Sequence, residues 1–287
     1  MSDERLGPGG KEFQRVLDQL RAWLSDGTYA VGSRLATQRA LAEQFGVSRD
    51  TIQRVLRVLI GEGWIEARQG SGARVVKVSR VHSASPAADR VHLGKLIDRA
   101  FEHPEVTLDV ALLTSESLDA HVRLQADRIQ AGEIHPQRIT VRMLLPSESL
   151  HLPYPRAKQN PDDPRPQERL RSITRAHTQS LRRVLRELQS EGLVPSATVE
   201  IRRVPLVPTF KLYVLNGVTA LFGPYEVVER RIVMDDGEDV EVVDVLGLGS
   251  DLSHYVKEET PGAESQGSLF VRSMESWFIS CWELLAE

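Results

Sequence analysis

The feature that most constrains the fold is a pair of short amphipathic segments in residues 37–61, separated by a tight turn. Thr37 is a suitable N-cap for a first helix, and Gly46 ends that helix. Ser48 is a suitable N-cap for a second helix that continues to about Gly61. A short helix, a glycine turn and a capped second helix together predict a helix-turn-helix.

The flanking residues extend this unit on both sides. Apolar residues recur at helical spacing over about 11–25 and predict another helix. Beyond the helix-turn-helix, two short extended runs at 64–68 and 73–78 flank the glycine-rich residues 69–72, which is typical of a β-hairpin. Residues 1–78 are therefore predicted to form a winged helix-turn-helix domain.

This arrangement makes duplex DNA the expected partner of the N-terminal domain. The second helix of a helix-turn-helix lies in the major groove, where its first residues contact base edges and phosphates. Arginine binds guanine or phosphate through two donors, and Thr and Gln side chains reach phosphates or bases. The candidate DNA contacts on this helix and on the hairpin tip are Ser48, Arg49, Asp50, Thr51, Gln53, Arg54, Gly70, Ser71 and Gly72.

Charge is distributed unevenly along the chain, whose net charge is -4. Residues 1–80 contain 13 Lys and Arg against 9 Asp and Glu, whereas the remainder contains 23 against 31. A basic N-terminal part is consistent with nucleic-acid binding confined to one end. The single cysteine, Cys281, excludes an intrachain disulfide and a cysteine-rich zinc site. No apolar run approaches the roughly 18 residues of a membrane helix. We therefore expect a cytoplasmic protein with no metal, no cofactor and no membrane partner.

Residues 11–77 resemble the DNA-binding domain of the GntR family of transcriptional regulators nearly residue for residue. The resemblance is carried by Gly32-Ser33-Arg34-Leu35, Thr37-Gln38-Arg39, Leu41-Ala42-Glu43-Gln44-Phe45-Gly46-Val47-Ser48-Arg49, Thr51, Val55-Leu56, Leu59, Glu62-Gly63-Trp64-Ile65 and Gln69-Gly70-Ser71-Gly72. It implies a transcriptional regulator in which Arg39, Arg49, Thr51 and Gly70 occupy positions that the family uses for DNA contact. Two positions depart from the family pattern. Ala36 stands where proline is usual, and Asp50 brings a negative charge close to DNA.

The remainder of the chain predicts a second domain. Residues 79–92 are polar, contain proline, and are interpreted as a linker. Helix and strand patterns then alternate over 93–287, which predicts an α/β domain with a mixed sheet. The polar residues at about 249–267 are interpreted as a connection to a final helix, in which Trp277 and Trp282 are expected to make core or dimer contacts.

One segment of this second domain resembles half of the phospholipase D signature, H-x-K-x4-D followed by G-S-x-N. Lys211 lies two residues after Thr209, Asn216 five after Lys211, and Gly223 seven after Asn216. The catalytic groups are replaced, because Thr209 stands at the position of the histidine nucleophile and a hydroxyl without a base is a poor nucleophile. The resemblance therefore implies a catalytically inactive, phospholipase D-like domain whose lysine still binds a phosphate.

Two other interpretations of this segment stay open. A chorismate-lyase-like sensor domain is one, and a generic hairpin with Asn216-Gly217 as an ordinary turn is the other. If the phospholipase D-like interpretation holds, the candidate ligand-binding residues are Thr209, Lys211, Asn216, Tyr225 and Glu226.

The sequence thus predicts a homodimeric regulator, a repressor rather than an enzyme. It would bind an inverted-repeat operator with an affinity that a small molecule, such as a phosphorylated one, modulates. Two further functions are compatible with the same residues. One is a phosphodiesterase or nuclease carried to DNA by its N-terminal domain, and the other is a DNA-binding protein without a ligand.

Overall fold

The structure is a computed structural model that describes residues 8–25, 28–29, 33–61, 64–68, 72–75, 81–83, 93–234, 237–246, 252–258 and 265–287. Two groups of elements follow one another along the chain, and we refer to them as the head, up to residue 75, and the body, from residue 81 onward.

In the residues that the structure describes, the head contains three helices and a hairpin. The helices are α1 (Pro8–Ser25), α2 (Gln38–Phe45) and α3 (Arg49–Gly61), and the antiparallel strands are β1 (Ile65–Arg68) and β2 (Gly72–Val75). Their apolar faces enclose one core, in which Leu20, Leu41 and Trp64 are fully buried. The backbone N–H of Leu35 donates to the carbonyl of Ala73 at 2.9 Å, so the segment before α2 lies along the hairpin. The predicted winged helix-turn-helix is confirmed.

The body is an α/β unit around a seven-stranded mixed sheet in the order β3-β12-β9-β8-β4-β5-β7. Its strands are β3 (Val81–Ser83), β4 (Glu105–Ala111), β5 (Arg138–Pro146), β7 (Ser196–Val204), β8 (Phe210–Leu215), β9 (Thr219–Pro224) and β12 (Leu252–Val256). Strands β4, β5 and β7 are parallel neighbours, whereas β8 runs antiparallel to β4. The predicted α/β class with a mixed sheet is confirmed.

Four helices of the described part of the body cover this sheet. They are α4 (Leu93–Phe101), α5 (Glu116–Gln130), α6 (Arg165–Ser190) and α7 (Gln266–Leu284). Helices α4, α5 and α6 share a large apolar core with one face of the sheet, and α7 packs on residues such as Leu144 and Leu212 of the other face. A separate antiparallel sheet is formed by β6 (Arg156–Ala157), β10 (Glu226–Val233) and β11 (Asp239–Leu246).

Two elements fall where the sequence analysis places connections. Strand β12 lies within the polar residues 249–267. Its side chains alternate as in a strand with one face on the core, since Leu252 and His254 are buried while Ser253 and Tyr255 are only partly buried. Strand β3 lies in the predicted linker and pairs in parallel with β12 at the edge of the sheet. Both strands obtain their partners from distant parts of the chain, which a local pattern does not reveal.

Candidate nucleic-acid interface

The turn between α2 and α3 is fixed by a glycine and a serine. Gly46 adopts φ 64°, a left-handed conformation that favours glycine, and so ends α2. The hydroxyl of Ser48 accepts from the backbone N–H of Thr51 at 3.1 Å and lies 2.9 Å from the Thr51 hydroxyl. Ser48 therefore caps α3. Thr51 is only 7% exposed, so its hydroxyl engages this cap.

The first two turns of α3 present an exposed, mostly charged surface. Arg49, Asp50, Gln53 and Arg54 are all exposed, and the Arg54 guanidinium lies 4.9 Å from the ring centroid of Phe13 on α1. Because Asp50 is in the first turn, it also interacts favourably with the helix dipole. The structure thus brings four predicted contact residues together at one end of α3.

Two other predicted contacts lie on α2 and β2. Arg39 is exposed on α2 and forms an ion pair with Glu43 at 3.0 Å, an exposed pair that contributes little to stability. Gly72 begins β2 opposite Arg68. Gly70 and Ser71, at the predicted tip of the wing, lie outside the described residues, and DNA contact by any of the candidate residues stays a prediction.

A buried polar cluster joins the head to the body, and the sequence analysis missed it. Asp18 on α1 lies 3.5 Å from the guanidinium of Arg123 on α5, and Arg21 on α1 lies 3.4 Å from Asp18. Arg123 donates to the hydroxyl of Ser180 on α6, and that hydroxyl donates to Asp119 at 2.5 Å. We call Asp18, Arg21, Asp119, Arg123, His177 and Ser180 the α1–α5–α6 cluster.

His177 on α6 completes this cluster through a 2.8 Å contact between its Nδ1 and Asp119. Burial by itself lowers the pKa of His177, but the hydrogen bond with Asp119 and the charge of Glu116 outweigh burial, so the pKa is raised. Arg21 on α1 opposes that rise. The head and the body are therefore linked by a hydrogen-bonded network of charges that is largely shielded from water.

In the body, the structure brings Lys211 and Tyr225 together. Lys211 on β8 is 3% exposed, and its Nζ lies 5.9 Å from the ring centroid of Tyr225. Burial lowers the pKa of Lys211 to about 7. The Tyr225 hydroxyl accepts from the backbone N–H of Leu113 at 2.8 Å, which ties the end of β9 to the end of β4.

Of the other three candidate ligand residues, Asn216 lies apart from this pair, whereas the carbonyl of Thr209 accepts from the backbone N–H of Tyr225 at 2.9 Å and Glu226 directly follows Tyr225. Asn216 is at the opposite end of β8, where its amide accepts from Thr107 at 2.8 Å and donates to Ala100 at 3.1 Å. Its φ of 51° identifies it as a turn residue, which agrees with the hairpin interpretation. Thr209 is exposed before β8, and Glu226 is exposed at the start of β10. The five residues therefore do not form one contiguous site, and their role as ligand contacts stays a prediction.

A cavity of about 250 Å³ lies at the carboxyl ends of β4, β5 and β7, on the face covered by α7. Its walls include Ala111, Leu144 and Val204, and Trp277 of α7 contributes an indole. Trp277, for which the sequence predicts a core or dimer contact, packs on the apolar core of this face and also lines the cavity. No sequence pattern indicates this cavity, because its walls come from four strands.

Among the residues described, no helix combines the length and the apolar character that a membrane span requires.

Comparison with known proteins supports the interpretation of the head. Residues 13–75 match the model of the family described as bacterial regulatory proteins, gntR family. The chain is 37% identical over 115 residues to the Glc operon transcriptional activator of Escherichia coli (strain K12), a match that covers 39% of this chain and 43% of that protein. It is also 37% identical over 70 residues to the mannosyl-D-glycerate transport/metabolism system repressor MngR of the same strain, covering 24% and 29%.

A similar match occurs among solved structures. The DNA-binding domain of AraR in complex with operator ORE1 is 28% identical and covers 26% of this chain and 89% of that one, with a TM-score of 0.23. The chain spans less than half the length of the curated relatives that it matches. The family match lies within the head, whereas the 115-residue match is longer than the head and extends beyond it, and neither match identifies the body.

Proposed function

We propose that this chain is a DNA-binding transcriptional regulator. The observation that carries the proposal is the exposed N-terminal face of α3, where Arg49, Asp50, Gln53 and Arg54 lie together. Charged and amide side chains at the start of a recognition helix are the groups that contact phosphates and base edges. The match of residues 13–75 to a family of bacterial regulatory proteins supports the same function.

We further propose that the chain binds an inverted repeat as a homodimer and represses transcription. One recognition helix reads too few base pairs for specificity in a genome, and two heads related by a two-fold axis double the sequence that is read. The names of the relatives include both an activator and a repressor. Our hypothesis is repression, because a dimer that binds over a promoter blocks that promoter without any further contact.

The body is proposed to modulate DNA binding through a small molecule, without catalysis. The α1–α5–α6 cluster supports this role, because α5 follows the carboxyl end of β4 and contacts the head through Arg123 and Asp18. A ligand that prefers one arrangement of α5 against α1 would shift the affinity for an operator by its differential affinity for the two arrangements. A phospholipase D-like ancestry for the body stays a hypothesis based on the spacing of Lys211 and its neighbours.

Selection from a random duplex library tests the proposal. The purified full chain is expected to enrich an inverted repeat, and its affinity for that repeat should fall steeply with salt because phosphate contacts release counterions. Failure to enrich any sequence, or a salt dependence near zero, would contradict DNA-binding regulation. A phosphodiesterase assay on nucleotides and DNA addresses the enzyme alternative, for which turnover that disappears in Thr209→Ala would be the supporting result.

A further inference from the structure

We infer that the 250 Å³ cavity at the carboxyl ends of β4, β5 and β7 is a binding site for a small, uncharged, mainly apolar molecule. This inference deepens the proposed function, on which its regulatory meaning rests, by naming the chemical class of the effector. It also places the effector away from Lys211, which is not among the residues that line this cavity.

The position of the cavity is the first argument. Open α/β sheets bind ligands outside the carboxyl ends of their strands, where the strand order reverses. Here the chain passes from β4 to β5 and β7 on one side and returns through β8 on the other side of β4. Ala111 ends β4, Val204 ends β7 and Phe210 begins β8, and all three line the cavity.

The chemistry of the walls selects the class of ligand. Every lining residue that the structure describes is uncharged, and Thr209 is the one among them with a side-chain hydroxyl. A charged ligand would lose its hydration without gaining a partner charge, which is costly. A ligand with one hydroxyl or carbonyl would be accommodated at Thr209, which is exposed at the rim.

The size of the cavity selects a small molecule over a protein segment. A dry cavity of about 150 Å³ lined by aliphatic and aromatic side chains is large enough for benzene. A volume of about 250 Å³ therefore fits a substituted single ring or a branched aliphatic chain of similar size.

The rim supplies an entrance. Leu206 and Val207 lie in the loop between β7 and β8 and are 36% and 39% exposed, although both line the cavity. The loop is held just beyond them, since the Tyr154 hydroxyl donates to the carbonyl of Pro208 and the Tyr225 N–H donates to the carbonyl of Thr209. Leu206 and Val207 are apolar side chains at the mouth of the cavity, on a loop whose end is held in place. They are therefore suited to close over a bound apolar molecule.

The carboxyl end of β4 connects this cavity to the head. Leu112 lines the cavity and is followed, three residues later, by Ser115, the N-cap residue of α5. A ligand against Leu112 therefore acts on the start of the helix whose Arg123 contacts Asp18 of α1.

The test uses the full chain, without DNA, and three probes of similar size. Toluene, benzyl alcohol and benzoate are titrated while saturation-transfer NMR and tryptophan fluorescence are followed. Toluene and benzyl alcohol are expected to bind, and benzoate at least about tenfold more weakly because its charge is not matched in the cavity. Absence of toluene binding up to its solubility, or equal binding of benzoate, overturns the inference.

Variants assign the binding to the cavity. Ala111→Leu fills it, and Val207→Lys places a charge at its exposed rim with little risk to folding, so each should weaken toluene at least about tenfold. Val218→Lys is the matched control, because Val218 is 45% exposed in the β8–β9 turn and does not line the cavity. Lys211→Met should leave toluene binding intact, and loss of binding only in Lys211→Met would overturn the inference.

Sedimentation distinguishes a cavity that is covered by a second copy of this chain from a cavity that binds a small molecule. If Val207→Lys dissociates a dimer and no probe binds, a second copy covers the cavity and the inference fails. The outcome of the toluene titration does not depend on whether the chain binds an operator. Failure of the library selection would contradict DNA-binding regulation and leave the site standing, whereas failure of toluene to bind would remove the site alone.

Discussion

The exposed face of α3 and the α1–α5–α6 cluster both contain arginine and aspartate side chains, but those of α3 face solvent whereas those of the cluster bind one another inside the protein. On α3, Arg49 and Asp50 are exposed to solvent. In the cluster, the Asp119 side chain is 3% exposed and that of Arg123 is 15% exposed, and their hydrogen bonds are satisfied within the protein. Exposed charges contribute little to stability, whereas breaking a buried pair is strongly destabilising. A charge change on the exposed face of α3 should therefore alter binding alone, whereas one in the cluster, which includes Asp18 and Arg21 of α1, should alter folding.

The largest expected effect is that of Asp119→Ala on stability. The substitution leaves His177, Ser180 and Arg123 without their shared acceptor, and we expect the free energy of unfolding to fall by about 3–5 kcal/mol. Chemical denaturation of the full chain measures this loss.

Asp127→Ala is the matched control for that measurement. Asp127 is on the same helix, carries the same charge and is close enough to Arg123 to interact with it, but its side chain is exposed, so its loss should cost at most about 1 kcal/mol. Equal losses for the two variants would mean that the cluster does not hold α5 in place.

Arg49→Ala is expected to weaken operator binding without changing stability. If Arg49 makes a bidentate contact with a base, the loss is about 1–3 kcal/mol, which corresponds to about 5- to 150-fold in the dissociation constant. Fluorescence anisotropy on the selected inverted repeat measures it, and thermal melting checks that the variant remains folded.

Arg57→Ala is the control for Arg49→Ala. Arg57 is also exposed on α3 but lies two turns further from the N-terminus of that helix. Arg57→Ala therefore removes the same charge from a different position. If Arg57→Ala weakens binding as much as Arg49→Ala, then net charge and not the position on α3 determines the affinity.

The difference between the two regions also explains what could be predicted from the sequence. The head follows from local signals: Thr37, Gly46 and Ser48 fix the helix ends wherever the rest of the chain lies. The cluster does not follow, because Asp18, Arg123 and His177 are separated by more than 50 residues each and are ordinary polar residues in their own helices.

The body shows the same limit. Its longer strands and helices follow from periodicity, whereas β3 and β12 depend on pairing with each other and with β9. The lysine motif spans β8, with Thr209 before the strand and Asn216 in the turn after it. Six residues of β8 lie between Thr209 and Asn216, about 20 Å of extended chain, so these two residues do not share a pocket. The walls of the cavity come from the ends of four strands that meet only in the folded protein, so no linear sequence pattern predicts the cavity.

Lys211 provides a test of burial in the body. Its pKa is lowered to about 7 by burial, so between pH 7 and about 10.5 the unfolded chain binds more protons than the folded one. The free energy of unfolding of the wild type should therefore rise with pH from 7 to 9, relative to Lys211→Met, by up to about 1.4 kcal/mol per pH unit.

Denaturation at several pH values measures this slope. Lys95→Met is the control, since Lys95 is an exposed lysine on α4 and its removal should leave the wild-type profile unchanged. A wild-type profile parallel to that of Lys211→Met would mean that Lys211 keeps its proton in the folded protein.

The smallest expected effect concerns His177 and has the opposite sign. Because the folded pKa of His177 is raised above 6.5, its contribution to stability is fully present below pH 6.5 and is lost as the pH rises through the folded value. Relative to His177→Gln, the wild type should lose stability over that interval. Lys211 adds a rise from about pH 7 that would mask this fall, so the comparison is made in a Lys211→Met background. A fall that persists in His177→Gln would assign the titration to another group, and Glu116→Gln, which removes a charge that raises the pKa of His177, should reduce it.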